Sequence, residues 1–377
     1  MKNYFYIAEI NLPSKSAYAV HVMQMCNAIA KNNHNLTLYI PYLQTEKSFS
    51  ALKKEYGLTN NFKISSFFKS NRALNFLTRL IFAISCIIQI KKEKNNNNLI
   101  ISRSVITSIL SALFQIKNYL EIHTEIKGFT KFFFKMSYYN YVSKNLKYIF
   151  INEYLLNYFP RIKKNYLILD DAVNFKLFKN NLKIKKIKNT CAYFGSLTKG
   201  KGVEIIEKIS RRLPHINFHI YGDLSISAFK DIKINKKNFH LFDYVKYNEI
   251  PKIMSQYDVM LMPYLNNVSV RSNNLDTAKY MSPLKLFEYL SMPKILVASD
   301  LKVYSHILKD NRNSILIKPY NINEWCLKIN DIFKNKFVKY ALYGIVLVGG
   351  LYVSGIVMRV IGNTAQSYKF MNNSIKG

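Results

Sequence analysis

Two series of alternating strand-like and helical segments, one opening near Tyr4 and the other near Thr190, restrict this chain to a small set of folds. Residues 4–10 are apolar and rich in strand formers, and the polar turn Asn11-Leu12-Pro13-Ser14 ends them. Residues 17–31 then put Ala19, Val22, Met23, Cys26 and Ile29 on one face at helical spacing. Asn32-Asn33-His34-Asn35 breaks that helix, and residues 36–40 read as the next strand. Strand, helix, strand in this order predicts a doubly wound sheet with helices on its faces. No GxGxxG follows the first strand, which argues against a dinucleotide in this half.

The rest of the first series is less regular. Residues 74–90 are nearly continuous apolar sequence, broken by Arg79 and flanked by Lys69, Arg72, Lys91 and Lys92. A helix lying on a membrane surface and a core helix with a solvated Arg fit that run equally well. Residues 99–102 read as a strand before Arg103, and residues 119–123 as a strand ending in Glu121-Ile122-His123. The basic, aromatic stretch 127–147 reads as helix and 148–151 as a strand. Residues 166–173 resemble a strand leaving one domain, and the Lys-rich stretch 176–189 suits a linker.

In the second series, strands are expected at 191–194, 216–221, 239–242, 259–262 and 295–298, with helices at 203–213, 250–256 and after Ser282. A chain of 377 residues is comfortable as two domains, expected at 1–175 and 176–333. A tail, 334–377, follows. Its segment 340–358 carries no charged residue and approaches the ~20 residues that span a bilayer, so a transmembrane helix is expected there, with a buried terminal helix as the alternative.

Charge narrows the partners. Lys+Arg number 55 against 22 Asp+Glu, a formal +33, which favours phosphates or an acidic membrane surface. No zinc spacing, aromatic RNA-binding signature or basic zipper is present, so no nucleic-acid partner is expected. Cys26, Cys86, Cys191 and Cys326 lie far apart with no CxxC pair, implying neither a zinc site nor a disulfide framework. A reducing compartment fits them. Met1 leads directly into a strand-like run, so no signal peptide is expected.

Two segments can carry chemistry. Gly195-Ser196-Leu197-Thr198-Lys199-Gly200-Lys201-Gly202 joins a strand to a helix. Its glycines allow close backbone approach, the helix start adds its dipole, and Lys201 with Lys199 could neutralise a diphosphate. The GxxxxGK[ST] spacing of a P-loop is absent. In Ser282-Pro283-Leu284-Lys285-Leu286-Phe287-Glu288-Tyr289-Leu290, Ser282 is expected as N-cap and Pro283 at the first helical position. Free N–H groups of that first turn can take phosphate. Glu288 follows about a turn and a half later. It suits a carboxylate accepting from ribose hydroxyls, or a Glu on the wet side of an ordinary helix.

The order of these and smaller motifs adds more. After the Gly/Lys loop come Tyr221-Gly222-Asp223, Ile250-Pro251, Tyr257-Asp258-Val259, Met262-Pro263-Tyr264, the Ser282 segment and Val297-Ala298-Ser299-Asp300. That series resembles the donor domain of the retaining glycosyltransferase family 4. In the first half, residues 8–13, His21, and residues 169–174 before Phe178 are similar to the same family, so the resemblance covers roughly residues 1–333. It implies an α/β GT-B fold, two Rossmann-like domains facing a cleft, here with an apolar C-terminal helix.

The resemblance also implies roles. Lys201 would contact the donor diphosphate and act catalytically with His123, the cleft histidine of the acceptor domain. Gly195, Ser196, Lys199, Ser282, Leu284 and Lys285 would line the donor site, and Glu288 would bind ribose. No metal and no cofactor are implied, because the nucleotide-sugar is a co-substrate. Tyr280 stands where the first acid of the family's glutamate pair would fall, and Ser196 where its phosphate-binding Arg often lies. The implied reaction moves a sugar to a cell-envelope glycan or lipid-linked acceptor at the cytoplasmic face of the inner membrane. A nucleotide-sugar 2-epimerase and a catalytically silent membrane-attached partner of the same fold are the rivals.

Overall fold

The computed structural model describes residues 3–32, 35–44, 48–71, 74–93, 98–179, 184–226, 237–270 and 273–334. The candidate span at 340–358 lies outside them. Among the described residues no helix is long and apolar enough to cross a membrane. The chain divides into two compact units, Met1–Asp170 and Asp171–Gly377.

The first unit is built on a seven-stranded sheet. Its strands are β1 (Asn3–Ile7), β2 (Asn35–Ile40), β3 (Lys63–Ser66), β4 (Leu99–Ser102), β5 (Asn118–Ile122), β6 (Leu146–Phe150) and β7 (Tyr166–Ile168). They lie in the order β3-β2-β1-β4-β5-β6-β7, with every pair parallel. Helices α1 (Ala17–Lys31), α2 (Phe49–Tyr56), α3 (Phe76–Lys92), α4 (Val105–Leu113) and α5 (Gly128–Lys135) connect them. Tyr4, Phe5, Tyr6 and Ile7 of β1 are all buried, as a central strand covered on both faces requires. Helix α1 spans the residues its apolar period predicted, and the Ser16 hydroxyl caps it by accepting from the Ala19 N–H.

One expectation for this unit gains detail and another changes. Arg79 of α3 is part-exposed, and its Nε also lies 3.2 Å from Glu9 Oε2. The expected helix over 127–147 is three pieces, because α5 gives way to a 3-10 turn at Met136–Tyr138 and the chain extends at Tyr139 before a short helix at Asn140–Ser143.

The second unit repeats the architecture. Strands β8 (Thr190–Phe194), β9 (Asn217–Tyr221), β10 (Phe239–Phe242), β11 (Val259–Met262), β12 (Ile295–Ser299) and β13 (Ile315–Ile317) form a six-stranded sheet. Its order is β10-β9-β8-β11-β12-β13, again all parallel. Helices α6 (Val203–Arg212), α7 (Ile250–Met254), α8 (Leu284–Leu290) and α9 (Ile322–Lys334) belong to it. A short helix at Phe175–Lys179 opens this unit where a linker was expected to begin. Phe178 is fully buried, its ring 6.1 Å from that of Tyr247.

Both sheets reverse their strand order beside the first strand, between β1 and β4 and between β8 and β11. In open parallel sheets ligands bind outside the carboxyl ends of the strands at such a reversal. The segments leaving β8 and β11, and those leaving β1, β4 and β5, are therefore where chemistry is expected.

Candidate functional site

The Gly195–Gly202 loop leaves the carboxyl end of β8 and is held from several sides. The Tyr193 hydroxyl donates to the Ser196 carbonyl at 2.9 Å, and the Leu265 N–H donates to the Gly200 carbonyl at 2.9 Å. Gly202 has φ 82°, and a Cβ there would also overlap the Pro263 carbonyl, so only glycine lets the loop enter α6 this way. A Cβ at Gly195 would overlap the Lys285 ammonium. Glycine at that point is what lets this side chain reach the loop backbone.

Lys285 is the unusual member. The residue is buried, and its Nζ has no hydrogen-bond partner among the described residues. It rests 3.6 Å from the centroid of Tyr193 and 5.2 Å from that of Tyr264. The Lys201 Nζ lies 4.4 Å from the same Tyr264 ring. Ring faces attract cations, but by far less than the hydration a buried ammonium gives up. Burial accordingly lowers Lys285 well below the ordinary lysine range, and the charge of Lys201 lowers it further. Burial also brings Lys201 down to about 8.

Glu288 lies one turn beyond Lys285 on α8 and is buried, which excludes the wet-side alternative. Burial raises its carboxyl to about 7, against the opposing pull of Lys285 and a hydrogen bond with Tyr247. Two buried lysine side chains beside one raised carboxyl make this a place where an anion would favour the charged form of both amines. Ammonium groups, a glycine backbone and a strand-order reversal together suit an anion such as a diphosphate.

The structure thus brings Gly195, Lys201, Lys285 and Glu288 together. Ser196 and Lys199 remain exposed on the loop. Ser282 does not cap the helix, because its Oγ accepts from the Asp171 N–H at 3.1 Å. Pro283 takes the N-cap position and Leu284 begins α8. Tyr280 is fully buried, so the position of the missing acid belongs to the core. Tyr193, Tyr264 and Tyr247 were given no role from sequence. Tyr193 and Tyr264 lie within or just past strands and Tyr247 lies shortly before α7, positions that no spacing rule joins.

The first unit holds a second cluster. His123 follows β5 directly, and its Nε2 lies 3.5 Å from Glu121 Oε2. His21 of α1 reaches the same oxygen at 3.5 Å, and the two imidazoles meet edge to face at 4.8 Å. The Tyr6 hydroxyl donates to that oxygen at 2.7 Å. Burial alone would raise the Glu121 carboxyl, but the hydrogen bonds and charges of His123 and His21 hold it well below the usual range. Nearby, Ser104 Oγ donates to Glu9 Oε1 at 2.6 Å and the Arg103 guanidinium stacks 3.9 Å from the Tyr18 ring. Sequence spacing gave no sign that His21, Glu121 and His123 form a group with the donor types of a metal site; their ligand atoms lie within 4.8 Å of one another.

Comparison with known proteins fits this arrangement. Residues 188–335 match the family model described as glycosyl transferases group 1, which marks the chain as a glycosyltransferase. A search of curated proteins finds no match. Among solved structures, a glycosyltransferase from Rickettsia africae superposes with TM-score 0.66 at 12% identity, over 96% of this chain and 100% of that one. HepE from Anabaena, solved in complex with UDP, gives TM-score 0.68 at 12% identity, over 98% and 100%. WaaG, a glycosyltransferase involved in lipopolysaccharide biosynthesis, gives 0.63 at 11%, over 96% and 98%. At these identities the likeness establishes the fold, a GT-B-like pair of parallel α/β units.

Proposed function

We propose that this glycosyltransferase moves a sugar from a nucleotide-sugar donor to a cell-envelope glycan or lipid-linked acceptor, with retention of anomeric configuration. The observation that carries the reading is the buried Lys285 ammonium, which stacks on Tyr193 without a hydrogen-bond partner among the described residues. A diphosphate supplies the charge that Lys285 and Lys201 lack. UDP in the solved HepE complex makes a uridine nucleotide the first donor to test. The lipopolysaccharide role printed for WaaG supports an envelope acceptor.

Breaking the anomeric bond puts negative charge on the departing nucleoside diphosphate. Lys201 and Lys285 are already in place and largely desolvated, so they hold that charge without reorganising. Glu288, on the same helix as Lys285, accepts from the ribose hydroxyls when ionised. Attack on the face from which the diphosphate departs would keep the anomeric configuration and needs no carboxylate nucleophile. In the first unit, His123 takes the sugar-facing role that the family resemblance implies.

The test is UDP binding by calorimetry to wild type and to Lys285→Met. Loss of one partner of a desolvated charge contact is expected to weaken binding roughly 100-fold. Wild-type affinity in a folded Lys285→Met variant would remove the reading.

A further inference from the structure

Helix α3 is apolar on two opposite sides. Phe82, Ala83, Cys86, Ile87 and Ile90 are buried, and Phe82, Cys86 and Ile90 join Phe5, Ile7, Tyr39 and Ile100 in one core cluster. On the other side Leu77, Ile81, Ile84 and Ile88 are 62%, 46%, 44% and 49% exposed. Steps of four, three and four residues align them in a single stripe. A helix that only closed the core would be polar there.

An aromatic cluster of α5 adjoins α3 on the flank of the stripe, at Phe76, about 110° round the helix from its centre. The Phe76 ring, at the start of α3, lies 4.7 Å from Phe129 and 5.5 Å from Phe133. Phe129 and Phe132 are both 64% exposed. Single exposed apolar side chains are ordinary, but a continuous stripe joined to an aromatic cluster marks an interaction surface.

The rim of this surface is basic. At 100° per residue Lys91 and Lys92 fall about 50° to either side of the stripe. The Lys91 ammonium lies 4.3 Å from the ring of Phe114, another exposed aromatic. Lys127, Lys131 and Lys135 are exposed on and beside α5. Neither helix contains an acidic residue, though Glu93 caps the end of α3 and Glu125 pairs with Lys127 at 3.5 Å, leaving lysine in excess along the rim.

We propose that the outer face of α3 and α5 docks on the surface of an anionic lipid bilayer. Apolar side chains in a stripe enter the acyl boundary while the lysines on the rim meet anionic headgroups. A second copy of this face would set lysines against lysines. A neutral apolar partner would leave most of the rim lysines without added counter-charge. Helix α3 would lie in the interface plane, and the proposal stands independently of the donor site.

The test puts a reporter on the stripe of the full chain. Trp325, the one native tryptophan, is fully buried and gives a constant background. Ile84→Trp is mixed with vesicles of phosphatidylcholine, with or without phosphatidylglycerol, carrying plain or brominated acyl chains. A second variant, Phe129→Trp, reads the α5 end, and circular dichroism matching wild type shows that each is folded.

Docking predicts a blue shift and bromine quenching of the introduced indole on vesicles containing phosphatidylglycerol. Adding Lys91→Gln and Lys92→Gln should weaken partitioning about 30-fold. Three results overturn the proposal. One is sedimentation with vesicles while both indoles stay unquenched, which assigns the contact to another segment. Another is a blue shift that follows protein concentration without lipid, which assigns the face to self-association. The third is no binding to anionic vesicles.

Discussion

The lysine site of the second unit and the histidine–glutamate cluster of the first are both buried and charged, yet their charge accounts differ. Glu121 is ringed by Tyr6, His21 and His123, so its carboxylate is satisfied within the protein. Lys285 has two aromatic faces and a second lysine for company, with Glu288, raised to about 7, as a counter-charge on the same helix. A satisfied cluster holds its own geometry. An unsatisfied one is costly until a ligand arrives, and that cost is what a tightly held anion relieves.

Substitution should therefore act with opposite signs at the two places. Glu121→Gln leaves buried donors facing a neutral group, and unfolding in urea should show a loss of about 3 kcal/mol. Lys285→Met removes a buried amine that has no hydrogen-bond partner among the described residues, and the unliganded protein should gain about 1 kcal/mol. Shifts of the same sign in both variants would break the contrast.

The contrast also explains what could be read from the sequence. Strand and helix order was legible because burial imposes periods of 2 and 3.6, and α1 appears at the residues its spacing predicted. The Gly195–Gly202 loop was legible because its glycines and lysines stand together in the sequence, although the contacts with Lys285 and Pro263 that require glycine there are not local. The run 127–147 misled because Phe and Tyr on every side declare no single buried face, so nothing marked the turn at Met136–Tyr138. Lys285 was singled out from its place on α8, but its stacking on Tyr193 and Tyr264 joins three separate segments, which no spacing encodes. The His21–Glu121–His123 group is likewise a product of sheet register and of the placement of α1.

Acidity separates the two regions further. Free Lys201 loses its proton near pH 8, below the ordinary lysine range, whereas a bound diphosphate favours the charged form. Binding above pH 8 must then take up a proton, so UDP affinity should fall as pH rises, by up to about tenfold per unit. Burial and the charge of Lys201 lower Lys285 as well, so it adds the same sign. Calorimetry in buffers of different ionisation enthalpy measures the proton uptake directly. Affinity independent of pH from 7 to 9.5 would mean that the ammonium groups do not meet the ligand.

The smallest effect tests the carboxylate that balances the lysines. Burial lifts Glu288 to about 7, so between the ordinary glutamate range and that value the folded state binds more protons than the unfolded chain. Stability should fall as pH rises through that window. The Tyr247 hydroxyl restrains the lift by stabilising the ionised carboxylate. Tyr247→Phe removes that donor, so the fall should extend to higher pH, with a loss on the order of 1 kcal/mol near pH 8. Melting curves from pH 4 to 9 for both proteins check this. Superimposable pH profiles would mean that Glu288 is not restrained through Tyr247, and the balance against Lys285 would then have to be sought elsewhere on α8.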